Sequence, residues 1–202
     1  MNNLYNSHDP RDASDLVRLV KEYPLAWIVS NGAAGFAATP LPMVAEPNAA
    51  GEIVSLMGHF ALRNPHVEVL RATPRALILF SGPQSYISPE AVTRPQWAPT
   101  WKYAVARFEV DIELLPQENG EALRKLVQHM ERDRRVPWTI AKMGERYERI
   151  LPHIIAFRAH VRSVEATFNL GQEETPQTFT EILGAMQDET LARWMRDFNP
   201  GR

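Results

Sequence analysis

Short apolar stretches separated by turn residues dominate this chain, and several carry the two-residue period of a half-buried strand. Leu25–Ser30 reads as a first strand, with Asn31-Gly32 and Gly35 as turn signals behind it. Phe36–Val44 predicts a second strand. Its Pro40 and Pro42 lie two apart, so both missing N–H groups point the same way, as an edge or a bulge tolerates. Glu52–Phe60 and Arg75–Phe80 predict a third and a fourth. Lys102–Leu115 alternates, with Phe108, Val110, Ile112 and Leu114 on one face and Arg107, Glu109, Asp111 and Glu113 on the other. Ile154–Phe168 alternates again, placing Ile155, Phe157, Ala159 and Val161 inward and Arg158, His160 and Arg162 outward. The acidic and basic outer faces of these two strands suit cross-strand pairs worth about 0.2–1 kcal/mol each.

Helical spacing fills the gaps. Leu16, Val17, Leu19 and Val20 predict a short amphipathic helix capped by Ser14 and stopped by Pro24. Asn64-Pro65 opens another through Leu70, with Asn64 as N-cap. Glu118–Arg134 carries a stripe of Leu123, Leu126, Val127 and Met130, and Trp138–Arg149 predicts a short helix. From Thr178 the spacing is helical to the end, with Thr178 and Glu181 in a capping-box pattern and Asp188 capping a second segment. The fold class is therefore mainly β with helices (α+β): six antiparallel strands in a closed or partly closed barrel, with peripheral helices. One domain is expected over residues 1–202, with a helical C-terminal segment from about residue 175.

Between Phe80 and Tyr103 the pattern predicts a long stiff loop. It holds Pro83, Pro89, Pro95 and Pro99, the hydroxyls of Ser85 and Ser88, and Tyr86, Trp97 and Trp101. Proline fixes φ and removes donors, so sheet interior is not expected here. Aromatic content argues against disorder, and hydroxyls beside indoles suit a flat, polar-edged ligand.

Composition narrows the chemistry. The chain has 202 residues, a net charge of −2 and 45% hydrophobic residues, which gives a real core and no overall basic footprint for nucleic acid. The lack of cysteine excludes disulfides, thiol nucleophiles and thiolate metal sites. The start of the chain shows no basic segment followed by an apolar one, so no secretory leader is read. No apolar run is long enough to span a bilayer, and a cytoplasmic protein is expected. The histidine spacings match no recognised metal pattern, and GxSxG, P-loop and GxGxxG motifs are absent. Arg132, Arg134 and Arg135 suit a helix C-terminus, which leaves DNA contact a minor reading.

Several stretches, taken in order, carry a resemblance. They are Tyr23-Pro24-Leu25-Ala26, Leu41-Pro42, the run Gly58–His66, the run Gly82–Pro89, and Pro99-Thr100-Trp101-Lys102-Tyr103. Over about Asp9 to Gln172 the chain resembles the PaiB-like proteins, known as FMN-binding negative transcriptional regulators, which have a flavin-binding split barrel. The resemblance implies a split β-barrel of the FMN-binding type, FMN as cofactor, and a homodimer with the ligand site at the subunit interface. The implied cofactor-binding set is His59, Arg63, Asn64, Ser85, Tyr86, Ile87, Ser88, Trp101, Tyr103 and Gln172.

The residue types suit that cofactor. Arg63 beside the helix start at Asn64-Pro65 is a cation near a helix dipole, as a phosphate needs. Ser85–Ser88 offers hydroxyls and backbone groups to a ring edge, and Trp101 and Tyr103 offer packing. The chain also departs from the family pattern. Ser88-Pro89-Glu90-Ala91-Val92 replaces Ser-Pro-Ser-Trp-Tyr, and Lys102 stands for Asn. Asn169-Leu170-Gly171-Gln172-Glu173 replaces Lys-Leu-Ser-Gln-Asn. Lys102 is expected at the surface, opposite Trp101. Three readings follow: a flavin-binding protein in a redox or sensing role, a transcriptional regulator acting through DNA or a partner, and a degenerate barrel that binds another ligand instead of flavin. No residue marks itself as a general acid or base, so enzyme activity is left open.

Overall fold

The computed structural model describes residues 8–33 and 35–201. The reading of the first seven residues as free of a secretory leader lies outside them. In chain order the elements are α1 (Ala13–Glu22), β1 (Leu25–Gly32), β2 (Gly35–Pro42), β3 (Val44–Pro47), β4 (Ile53–Ala61), α2 (His66–Ala72), β5 (Arg75–Ile87), β6 (Thr100–Leu114), α3 (Asn119–Glu131), α4 (Arg146–Ile150), β7 (Ile154–Asn169), α5 (Pro176–Ala185) and α6 (Glu189–Phe198). Short 3-10 turns lie between some of them, including Pro89–Ala91.

The strands form one seven-stranded sheet in the order β2-β1-β5-β6-β7-β4-β3. Its two edge strands are separated in sequence only by Met43, so the sheet has to curl back on itself. That is the geometry of a split β-barrel in an α+β fold. Close approach at the seam has a residue-level cause: a Cβ on Gly58 of β4 would sit 2.8 Å from the Phe157 ring and 3.1 Å from the Pro42 carbonyl.

The predicted six strands become seven because Phe36–Val44 breaks at Met43. That residue is fully buried and donates its N–H to the Pro24 carbonyl at 2.9 Å. The larger difference is in the proline-rich stretch. Ser81–Ile87 is not loop but the second half of β5, Pro83 included. β1 pairs with β5 only over Leu77–Leu79, so Pro83 lies beyond that ladder and takes no β1 hydrogen bond away.

Two compact units divide the chain. The larger comprises Asp12–Phe80 and Ala106–Glu165, and holds the first halves of β5 and β7 and most of β6. Its core includes Ile28, Met43, Phe60, Phe80, Phe108 and Phe157, all nearly or fully enclosed. Phe60 meets Phe157 at 5.1 Å and Phe80 meets Phe108 at 5.6 Å between ring centroids. The outer faces of β6 and β7 pair as the alternation implies: Arg162 with Asp111 at 2.8 Å, His160 with Glu113 at 2.9 Å. The smaller unit comprises Ser81–Val105, Ala166–Arg202 and the segment ending at Arg11. There Phe168, Trp194 and Phe198 form a ring cluster, with Trp194 and Phe198 stacked.

Helix caps shift by a few residues from the expected positions. Asp12, not Ser14, caps α1: its carboxylate accepts the Ser14 N–H at 2.8 Å. Thr175, not Thr178, caps α5. Glu181 instead accepts from the N–H and hydroxyl of Thr93, at 2.9 and 2.5 Å. Asp188 caps α6 as the sequence implies. The stretch Trp138–Arg149 is not one helix, because Gly144, at φ +54°, separates a 3-10 turn from α4. On α3 only Ala122 is buried, and Met130 of the expected stripe is half exposed. Among the described residues no helix is long and apolar enough to cross a membrane.

Candidate functional site

Seven of the ten residues singled out above lie in the smaller unit and three in the larger. In the smaller unit, β5 ends at Ile87 because Ser88 and Pro89 start a 3-10 turn. The Ser88 hydroxyl accepts the Glu90 N–H at 3.3 Å, and Pro89 sits at the first turn position. Ile87 points inward at 5% exposure, while Tyr86 is 52% exposed. The Ser85 hydroxyl donates to the Tyr86 carbonyl at 3.3 Å. Tyr86 meets Trp101 of β6 edge to face, 6.1 Å between centroids, and Trp101 is also half exposed. Ser85, Tyr86, Ile87 and Ser88 thus line one wall of a groove of about 590 Å³, whose other wall is Ile182, Met186 and Asp188. Tyr103, half-buried on β6, and Gln172 are not among the residues lining it. The Gln172 amide closes its own turn, accepting from Leu170 N–H at 2.8 Å and donating to the Phe168 carbonyl at 2.6 Å.

Lys102 corrects the expectation of an exposed side chain: it is fully buried. Alternation counted back from Phe108 through Ala106 and Ala104 reaches Lys102, so Lys102 takes the inward face and Trp101 the outward one. Its ammonium donates to Glu173 at 2.5 Å, to Glu174 at 3.0 Å and to the Asn169 side-chain oxygen at 3.3 Å. Glu173 also meets His8 at 3.3 Å, and Trp97 Nε1 donates to Glu174 at 3.4 Å. Burial raises the Glu173 carboxyl, but hydrogen bonds from Lys102 and its charge outweigh that and leave it below its ordinary value. Three of the departures from the family pattern therefore meet in one place. Lys at 102 and Asn at 169 are two ends of one contact, and Glu173 completes it. Gly171, at φ +90°, has Phe179 and Met195 3.0 and 3.2 Å from where a Cβ would be, so the family's Ser would be strained in backbone and tightly packed here.

In the larger unit, His59 sits on β4 opposite Ala156 of β7. Its Nδ1 is sealed from solvent with no hydrogen-bond partner among the described residues. Burial lowers the imidazole pKa and so favours the neutral ring. A buried polar atom without a partner is rare in folded proteins and calls for one, whether water, an ion or a ligand. Arg63 is exposed on the turn after β4, where an opening of about 550 Å³ is lined by Ala61, Leu62, Arg63 and His153. The Leu62 N–H donates to the His153 carbonyl at 2.8 Å and holds that turn. Pro65, not Asn64, takes the N-cap position of α2, and Asn64 lies one residue before it, its side-chain oxygen accepting the His66 N–H at 3.0 Å.

Sequence reasoning passed over His66. At 3% exposure it lies between the Ser30 hydroxyl on Nε2, 2.7 Å, and the Thr39 hydroxyl on Nδ1, 2.9 Å. Thr39 also accepts from the Asn64 side chain at 3.4 Å. This chain of polar groups ties β1, β2 and the start of α2 beneath the Arg63 turn. Its only signal in sequence is the Asn-Pro-His run itself, because Ser30 and Thr39 are distant in the chain.

By chemistry the residues suit FMN. Arg63 carries a cation with no ion pair among the described residues, His59 has a free ring nitrogen, and Tyr86 and Trp101 expose aromatic faces. Comparison with known proteins adds to this. The family described as "Putative FMN-binding domain" matches residues 4–163. The protein named "Protease synthase and sporulation protein PAI 2" of Bacillus subtilis (strain 168) is 25% identical over 180 residues, 88% of this chain and 86% of that one. Among solved structures, the FAD and heme binding protein from Mycobacterium smegmatis has a TM-score of 0.59 at 14% identity, covering 80% of this chain and 73% of that one. The flavocytochrome Anf3 from Azotobacter vinelandii has a TM-score of 0.59 at 12% identity, covering 82% of this chain and 71% of that one. At such identities the likeness is one of fold.

Proposed function

Because this chain belongs to the family described as "Putative FMN-binding domain", we propose that it binds FMN and serves as a redox or flavin-sensing protein. The observation that carries the reading is the sealed, unpartnered Nδ1 of His59 on the strand that leads to Arg63. Arg63, with His153 beside it, is assigned to the phosphate, since a guanidinium binds that group through paired charge-assisted hydrogen bonds. In the smaller unit, taken by itself, the backbone of Ser85–Ser88 offers groups of the kind a ring edge takes, and Tyr86 and Trp101 offer aromatic faces. FMN, when bound, supplies the electron and hydride chemistry. The chain's own residues bind and orient it, and none stands as a general acid or base. Both the M. smegmatis protein and Anf3 are named for flavin-related binding or redox roles, which accords with this reading.

A second copy of the chain is the partner in this reading. On the larger unit the outer face of β1 and β5 exposes Leu25, Trp27 and Leu79, with Phe36 on β2 at 84% exposure. Trp27 and Leu79 are directly paired across the strands. A sheet face this apolar suits burial against a like face. DNA contact has less support: Arg134 pairs with Glu131 and Arg132 with Asp133, so much of the basic helix end is engaged internally.

Titration with FMN of the wild type, Arg63→Ala and Ser88→Ala tests the assigned site. Weakening of about tenfold or more at Arg63, the scale of one charge-assisted contact, is expected. Unaltered binding in both variants refutes the assignment.

A further inference from the structure

The groove between the end of β5 and the turn joining α5 to α6 has a charge that does not suit a phosphate. No Lys, Arg or His is among its described lining residues, and two carboxylates are, Glu90 and Asp188. Asp188 already accepts the Thr190 and Leu191 N–H groups at 2.9 and 3.0 Å, so the N-terminus of α6 offsets part of its charge. The Glu90 carboxylate has no such partner among the described residues. An anionic group placed here would meet uncompensated negative charge and no donor cation.

The rest of the groove sets the body of the ligand. Ile87 and Ile182 form an apolar floor at 5% and 1% exposure. Met186 adds a side chain that adapts to irregular shapes. Tyr86, half exposed and held edge to face by Trp101, presents an aromatic surface of the kind that attracts cations. The second wall, α5 and α6, lies after residue 163, where the family match ends. The groove is therefore built in part by segments beyond the matched region.

We propose that this groove binds a small organic cation, an ammonium group carried on an apolar body. The Glu90 carboxylate takes the ammonium, and Tyr86, Ile182 and Met186 pack on the body. The site shares Ser85–Ser88 and Tyr86 with the ring contacts considered above, but it rests on the groove's own carboxylates and apolar floor and not on the flavin reading.

Amide NMR of the full chain, titrated with phenethylamine, phenethyl alcohol and phenylacetate at neutral pH, tests this with three bodies of one shape and different charge. Phenethylamine is expected to give saturable shifts in Ser85–Ala91 and Ile182–Asp188, with phenylacetate at least about tenfold weaker. Glu90→Gln, a change at an exposed position, is expected to weaken the amine about tenfold and leave the alcohol unchanged. Equal affinity for acid and amine, shifts centred elsewhere, no saturable binding, or an unaffected Glu90→Gln overturns the proposal. The same titrations run with and without FMN, with the visible spectrum recorded alongside, read the flavin separately, so a failure of either reading is recognisable as its own.

Discussion

Lys102 is fully enclosed and surrounded by two carboxylates and an amide. An ionised ammonium without partners is too costly to bury, so these contacts are what permit a charge at this inward position. Glu174 is itself 7% exposed, and removal of the lysine would leave its buried carboxylate without its cation. Lys102→Asn alone is therefore expected to lower the unfolding free energy by about 3 kcal/mol. Adding Asn169→Lys returns the cation from the other side of the same contact, and the double variant is expected to recover more than half of the loss. Urea unfolding of the three proteins decides it: an unharmed single variant, or a double variant no better than the single, contradicts the role given to the contact. The inward placement was legible in the sequence, since parity from Phe108 leads to Lys102. The habit of putting lysine outside hid it. The partners Glu173 and Glu174 were not legible, because nothing local brings residues some seventy positions apart together.

At the scale of elements, two polar groups hold strands and helices in the larger unit. His66 links α2 to β1 and β2 through Ser30 and Thr39, and burial depresses its pKa. A depressed imidazole favours the neutral form in the fold, so the unfolded chain binds more protons, and stability is lost as pH falls below the ordinary imidazole value of 6.5. Glu46 links β3 to β4, α3 and β7 by accepting from Ser55 at 2.7 Å, Lys125 at 2.6 Å and Arg158 at 2.8 Å. Burial raises its carboxyl, but those hydrogen bonds outweigh it and hold the pKa at about 2, against an ordinary 4.5. Its contribution is present above pH 4.5 and lost as pH falls toward 2. Solvent screening keeps it to about 1 kcal/mol. Denaturation across pH is expected to show both declines. His66→Gln should flatten part of the first and leave the second, and Glu46→Gln the reverse; identical pH profiles for wild type and both variants would sink the assignment. The strands themselves were visible in alternation, and the outer-face pairs of β6 and β7 followed from it. Ser81–Ile87 was not, because Pro83 reads as a strand breaker until the limit of the β1 pairing is known.

For the molecule as a whole, the exposed apolar face of β1, β2 and β5 is the feature a solitary chain leaves unexplained. Trp27→Glu places a charge on the most aromatic part of that face, beside Leu79. Light scattering on a sizing column is expected to give a dimer for the wild type and a monomer for the variant; a monomeric wild type contradicts the dimer reading. The split barrel was legible from its strands and from the resemblance. The groove beside α5 was not, since its two walls, residues 84–91 and 182–188, lie far apart in the chain. The measurement that bears most directly on the central claim is the visible absorption spectrum of the purified protein, followed by a titration of its colourless form with FMN. Flavin bands, or saturable FMN binding at low micromolar or tighter affinity, about −8 kcal/mol, are expected. A colourless protein that leaves FMN free in solution contradicts the claim.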